Sequence, residues 1–275
     1  MKLSGIITLC LVTSYCFSQQ VRTALATLGG SNKIDVIKSS IDVPSWHEKS
    51  FWPLYNRYMD KLEGVSNTSY RALADVAKID EEVSDQDAYQ YVRNLLDNRY
   101  KAFDVRKQYF MEIGNEFNGI IALQFIQTEA LLDMIQSEEP YEATFWHQYR
   151  FHPKALTEDK FKQAKHNTIA KALSLTQKDS AFWNVYHRYE EECNALLGEE
   201  YSLFSFFAGE ATDYTPALAK RLGYDLLQLM EREIKLKDQY FEEMNNTVGA
   251  SLAARFFAWE DYYSLVSKMH AWADQ

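Results

Sequence analysis

Six histidines and three cysteines are the side chains of this 275-residue chain best suited to hold a metal or act as a nucleophile. His47, His147, His152, His166, His187 and His270 are scattered along it. A di-metal site in a helical bundle takes Glu-x-x-His pairs from facing helices, yet no glutamate here has a histidine three positions later. His-Glu-x-x-His, a glycine-rich phosphate loop and a serine or cysteine nucleophile motif are also missing from the sequence. We therefore expect no catalytic residue, no metal ligand and no cofactor, and a protein that is not an enzyme. The residues left to consider are two base–acid pairs, Arg106 with Glu129 and Lys237 with Glu260, and an aromatic surplus of 15%.

What positions them is a repeat. About ninety residues occur twice, displaced by 131 positions without a gap. Phe51-Trp52-x-x-Tyr55-x-Arg57-Tyr58 returns as Phe182-Trp183-x-x-Tyr186-x-Arg188-Tyr189. Gln108-Tyr109-Phe110-x-Glu112 returns as Gln239-Tyr240-Phe241-x-Glu243, and Ala122-x-x-Phe125-x-x-x-Glu129 as Ala253-x-x-Phe256-x-x-x-Glu260. No histidine or cysteine is kept between the copies.

Phe51, Leu54, Tyr55, Tyr58 and Leu62 follow the spacing of one helical face, as do Phe182, Val185, Tyr186, Tyr189 and Cys193. Cys193 thus stands where the first copy has Leu62 and reads as a small buried hydrophobe. Pro53 marks or kinks the start of its helix, and Thr176 with Asp179 caps the equivalent one. Shorter helices follow at about 67–78 and 198–208, long ones at about 86–116 and 217–247, and last ones at about 120–137 and 250–272. Few glycines (10) and prolines (5) agree with long helices and short connections.

If the last two helices of each copy fold back on one another at Asn118-Gly119 and near Gly249, Arg106 opposes Glu129 and Lys237 opposes Glu260. Phe110 then faces Phe125, and Phe241 faces Phe256. We read both base–acid pairs as structural latches, since half-buried pairs supply geometry more than stability. The expected fold is all-α: two homologous four-helix units in tandem, packed as an internal pseudo-dimer. The division is a signal peptide (1–18), a flexible lead-in (19–44), repeat 1 (45–137), a connector with one helix at 157–172 (138–172), and repeat 2 (173–275). Phe145-Trp146-x-x-Tyr149 in the connector echoes the aromatic motif.

Lys2, the apolar residues 6–12, and Cys16 and Ser18 have the pattern of a secretory leader. Tyr15 disfavours lipidation of Cys16. Cleavage leaves Cys193 alone, with no internal disulfide. No other apolar run reaches the roughly 18 residues that span a bilayer, so a soluble periplasmic protein is expected. A formal net charge of −10 argues against nucleic acid and anionic membrane surfaces.

Phe51-Trp52-Pro53-Leu54-Tyr55-Asn56-x-Tyr58 resembles an "FWPxYxxY" box of small secreted helical proteins of Gram-negative bacteria, where it follows a Leu-Thr-x-x-Gln-like start, kept in part as Leu175-Thr176-Gln177. Ala253-Ala254-Arg255-Phe256-Phe257-x-x-Glu260 resembles their second box, and residues 122–129 do so less closely. Those proteins are in turn distantly similar to Spy/CpxP-type periplasmic proteins, which are ATP-independent chaperones or stress sensors. The resemblance implies a non-enzymatic envelope protein that binds other envelope proteins or unfolded polypeptides. Its aromatic surface would comprise Trp52, Trp183, Trp259, Tyr262 and Tyr263. The alternatives are a small-molecule or metal-binding protein with a site between the repeats, and a purely structural envelope component.

Overall fold

The computed structural model describes residues 37–38, 40–76, 83–136, 158–209 and 214–273. The leader, most of the lead-in and the connector up to residue 157, with its aromatic echo, lie outside them. The described residues hold no strand and seven long helices, α1 (Glu48–Val76), α2 (Asp85–Glu116), α3 (Gly119–Gln136), α4 (Glu158–Ala172), α5 (Ser180–Gly209), α6 (Pro216–Val248) and α7 (Ala250–Ala273). The end of the lead-in is not flexible as expected, since residues 37, 38 and 40 are helical and Ile37 and Ile41 are buried in the core. The chain is all-α.

Local chemistry sets most helix ends. Ser84 Oγ accepts the Asp87 amide at 3.1 Å to cap α2, and Thr215 caps α6 ahead of Pro216 at its first turn. Asn118 Oδ1 accepts the amides of Ile120 and Ile121 to start α3. Gly249 separates α6 from α7 at a φ of 89°, a conformation that favours glycine.

One expectation is corrected. Each copy has three long described helices rather than four, because α1 and α5 run unbroken through the turns expected near residues 67 and 198. No proline interrupts either helix there. The glycines inside them, Gly64 and Gly198, each cost a helix only about 1 kcal/mol, which packing of the apolar face offsets. Pro53 sits six residues into α1 without ending it.

The hairpin faces are those expected: α1 packs on α2 and α2 on α3, as α5 packs on α6 and α6 on α7. The copies also pack on each other, with α3 on α6, α7 on α2 and α2 on α6. These contacts recur in exchanged form. Tyr100 donates to Asp238 at 3.2 Å, while Lys107 pairs with Glu231 at 4.0 Å, and each pair is the other displaced by 131. The start of α2 caps the start of α7 through Asp85 and the Ser251 amide at 2.8 Å. Equivalently, the start of α6 lies against Gly119 at the start of α3.

Phe110 and Phe241, expected to face Phe125 and Phe256, reach rings of the opposite copy, and Phe241 also meets Phe257 of its own hairpin at 5.7 Å. Phe110 meets Tyr224 edge-on at 5.1 Å, and Phe241 stacks on Tyr89 at 5.6 Å. Both rings are fully buried, so the duplicated phenylalanines tie copy to copy.

Candidate functional site

Both repeats build the same aromatic cluster from the same residues. Phe51 stacks on Tyr55 at 6.2 Å and 15°, and Phe182 on Tyr186 at 6.1 Å and 13°. Tyr58 meets Tyr109 edge-on at 5.4 Å and Tyr189 meets Tyr240 at 5.3 Å, with Phe125 and Phe256 closing the two groups. The first-helix stripe is therefore core. Arg57 with Glu112 and Arg188 with Glu243 form equivalent ion pairs outside it.

The residues expected to form an aromatic surface are mostly interior. Trp183 is 8% exposed, donates its indole N–H to the Thr176 carbonyl at 2.8 Å and stacks on His166 at 4.2 Å. Trp259 and Tyr263 are buried and stack on each other at 6.2 Å. The reason is that α7 packs on α2 and α6, with further contacts to α1, α3 and α4, and these cover the positions of Trp259 and Tyr263. Trp52 is half-buried, with the Lys38 ammonium 5.7 Å over its ring. The Tyr262 side chain lies outside those described. The structure does bring His166 and His187 to a ring separation of 6.4 Å. Among the described residues, no group of three or more His, Cys, Asp or Glu is arranged to hold a metal ion.

Inside the clusters sit the predicted latches, with partners the sequence did not indicate. In the first copy Glu129, 1% exposed, accepts the Tyr55 hydroxyl at 2.9 Å and the Tyr58 hydroxyl at 2.5 Å. Buried Arg106 pairs with Asp133 at 2.5 Å, one turn beyond Glu129. Burial opposes the guanidinium charge, but Asp133, Tyr58 and Glu129 outweigh it and raise the Arg106 pKa. Arg106 and Glu129 are thus neighbours in one network, but the ion pair is made with Asp133 and Glu129 is held by the two tyrosines.

The second copy has the equivalent residues and a different network. Tyr186 donates to Glu190 at 2.9 Å, away from Glu260. Lys237 pairs with Asp261 at 3.0 Å and with Glu233 at 3.1 Å. Glu260 instead accepts Lys165, from α4, at 2.9 Å. Lys165 lies in the connector, ahead of the second repeat. Arg99 of α2 clamps Asp261 with two hydrogen bonds, at 2.6 and 3.1 Å.

Four buried polar atoms lack a hydrogen-bond partner among the described residues: Arg106 Nε, His166 Nδ1, Tyr189 Oη and Glu260 Oε2. The last two correspond to the hydroxyl and carboxylate oxygen that bond each other in the first copy. A cavity of about 70 Å³ borders Glu260 and is lined by Lys165, Cys193, Met230, Lys237, Glu260 and Ser264 among others. Buried polar atoms next to a polar void are where a water or a ligand is held.

The electrostatics of the cavity follow from burial. Glu260, 2% exposed, has its pKa raised by desolvation even though Lys165 and Lys237 pull it down. Burial and then the Glu260 charge push the Cys193 thiol up to about 12, so it is a neutral thiol rather than a nucleophile at pH 7. Asp261 resists its own burial: Arg99 and Lys237 hold its pKa below the ordinary value.

Sequence reasoning missed this site, although the repeat carried its signal. Leu62, Arg106 and Asp133 become Cys193, Lys237 and Ser264, each a smaller side chain, around one conserved glutamate position. Known protein families, curated proteins and solved structures were compared with the chain, and none matched it.

Proposed function

We propose that this is a non-enzymatic binding protein that holds a small polar ligand in the cavity of its second repeat. One observation carries the reading: a void of about 70 Å³ bordered by Glu260, whose Oε2 is buried without a partner. Retaining a buried carboxylate oxygen with nothing to accept from costs about 1–3 kcal/mol or more, a cost that a hydrogen-bonding occupant removes. The expected polypeptide-binding surface finds less support, since Trp183, Trp259 and Tyr263 are interior.

The two repeats, in this proposal, pack as an internal pseudo-dimer, a reading supported by the exchanged contacts Tyr100–Asp238 and Lys107–Glu231. Pseudo-symmetry would leave one copy free to remain a closed scaffold while the other diverged into a site. The compartment we propose is the periplasm, on the strength of the leader pattern alone. No helix among the described residues is long and apolar enough to cross a membrane.

The test is a thermal-shift screen of small polar compounds on the purified chain, followed by calorimetry. Bound ligand raises apparent stability by mass action. A hit that is lost in Cys193→Leu, which restores the larger first-repeat residue, supports the site. A screen without hits, together with a crystal structure showing only waters in the cavity, would overturn it.

A further inference from the structure

Resting on that reading, we infer that the ligand of the second-repeat cavity is a small planar cation carrying N–H donors, a guanidinium or amidinium group. The first repeat shows what fits this place. There the Arg106 guanidinium pairs with Asp133 and stands next to Glu129, inside the core. The cavity is lined by the equivalents of all three, Lys237, Ser264 and Glu260. Lysine carries a compact ammonium where arginine carries a planar fork, and Lys237 directs that ammonium to Asp261 and Glu233. Space therefore remains beside the retained glutamate, whose Oε1 takes the Lys165 ammonium and whose Oε2 takes nothing.

Three further observations select a cationic donor. The unpartnered atom is a carboxylate oxygen, an acceptor that asks for an N–H or O–H. Among the charged residues lining the cavity, Glu200, Glu233 and Glu260 outnumber Lys165 and Lys237. Both lysines are already engaged, Lys165 with Glu260 and Glu190 and Lys237 with Asp261 and Glu233, so they do not present an open anion site. Size agrees as well: the void has room for a few waters or about four heavy atoms, and a guanidinium ion has four. Ser264 Oγ, also on the cavity wall, can accept an N–H group that Glu260 leaves over.

The experiment compares three nearly isosteric planar probes on the full chain: guanidinium, neutral urea and anionic nitrate, each at low millimolar concentration and matched ionic strength. Calorimetry and melting temperature are read for the wild type and for Glu260→Gln and Lys237→Arg. Guanidinium is expected to bind and raise the melting temperature, with urea and nitrate inert. Glu260→Gln should weaken binding about tenfold or more, since it replaces a charge-assisted hydrogen bond by a neutral one. Lys237→Arg, a residue the first repeat already accommodates, should fill the cavity and abolish binding while the protein stays folded. Preference for urea or nitrate overturns the charge assignment but leaves a ligand-binding cavity. Guanidinium binding that survives in both variants places it elsewhere and overturns the inference, as does the absence of binding by all three probes.

Discussion

One substitution made twice separates the two networks. Tyr58 and Tyr189 occupy equivalent positions, are both fully buried and touch equivalent rings. Tyr58→Phe removes a hydroxyl that donates to the Glu129 carboxylate at 2.5 Å. A hydrogen bond to a charged group is worth about 1.5–3 kcal/mol, and the buried carboxylate oxygen is left without that donor. Tyr189→Phe removes a buried hydroxyl that has no carboxylate partner and only the weakly polar Cys193 thiol beside it. Losing an unsatisfied polar group from the core is neutral or stabilising, by up to about 1–3 kcal/mol. The same change of one oxygen atom should therefore destabilise in the first repeat and not in the second. At roughly 2–4 °C per kcal/mol for a chain of this size, a loss near 2 kcal/mol lowers the melting temperature by about 4–8 °C. Tyr189→Phe should leave it unchanged or raise it. Urea denaturation with an unchanged slope is the second readout, because it shows that the native state rather than the unfolded chain was altered. Equal destabilisation by both substitutions would refute the reasoning. It would mean that the Tyr189 hydroxyl is bonded, and that the second repeat is closed like the first.

Cys193 should resist alkylation by iodoacetamide at pH 8 in the native protein and react promptly once unfolded, because burial suppresses its thiolate; rapid native labelling would show the cavity to be open. Gly223 packs so closely on the Phe110 ring that an added methyl group would overlap it. Gly223→Ala should cost about 1–3 kcal/mol through overpacking, and a Phe110→Leu background should relieve much of that in a double-mutant cycle. The pH response of Glu260 is set by its raised pKa: the folded state holds its proton above the pH at which the unfolded chain, near 4.5, releases it. This group's contribution to stability is then lost as pH rises through that window. Glu260→Gln should flatten that part of the stability–pH curve, and an unchanged curve would contradict the assignment.

Much of the fold was legible in the sequence because helix formation is signalled locally. The limits of α2, α3, α6 and α7 fall within a residue or so of those expected, where Ser84, Asn118, Thr215 and Gly249 supply cap or break chemistry. The extra break expected inside α1 and α5 failed for the same reason: nothing in those segments is costly enough to stop a helix whose face is buried. The base–acid positions were also found, since antiparallel helices bring them to one level. Their bonds were not. Whether Arg106 reaches Glu129 or Asp133 depends on side-chain length and rotation about the helix, quantities that spacing alone leaves free.

The sequence by itself determined an all-helical chain with a repeated aromatic core and an acid in each hairpin, because periodicity, capping and duplication are written in one dimension. Only the tertiary structure decided that α4 delivers Lys165 to Glu260, that Arg99 of the first repeat clamps Asp261 of the second, and that one oxygen of Glu260 stays unpaired beside a cavity. Those outcomes join residues 95 and 162 positions apart. Competition among nearby donors for one buried carboxylate is settled by distances of a few tenths of an ångström, which no linear pattern encodes.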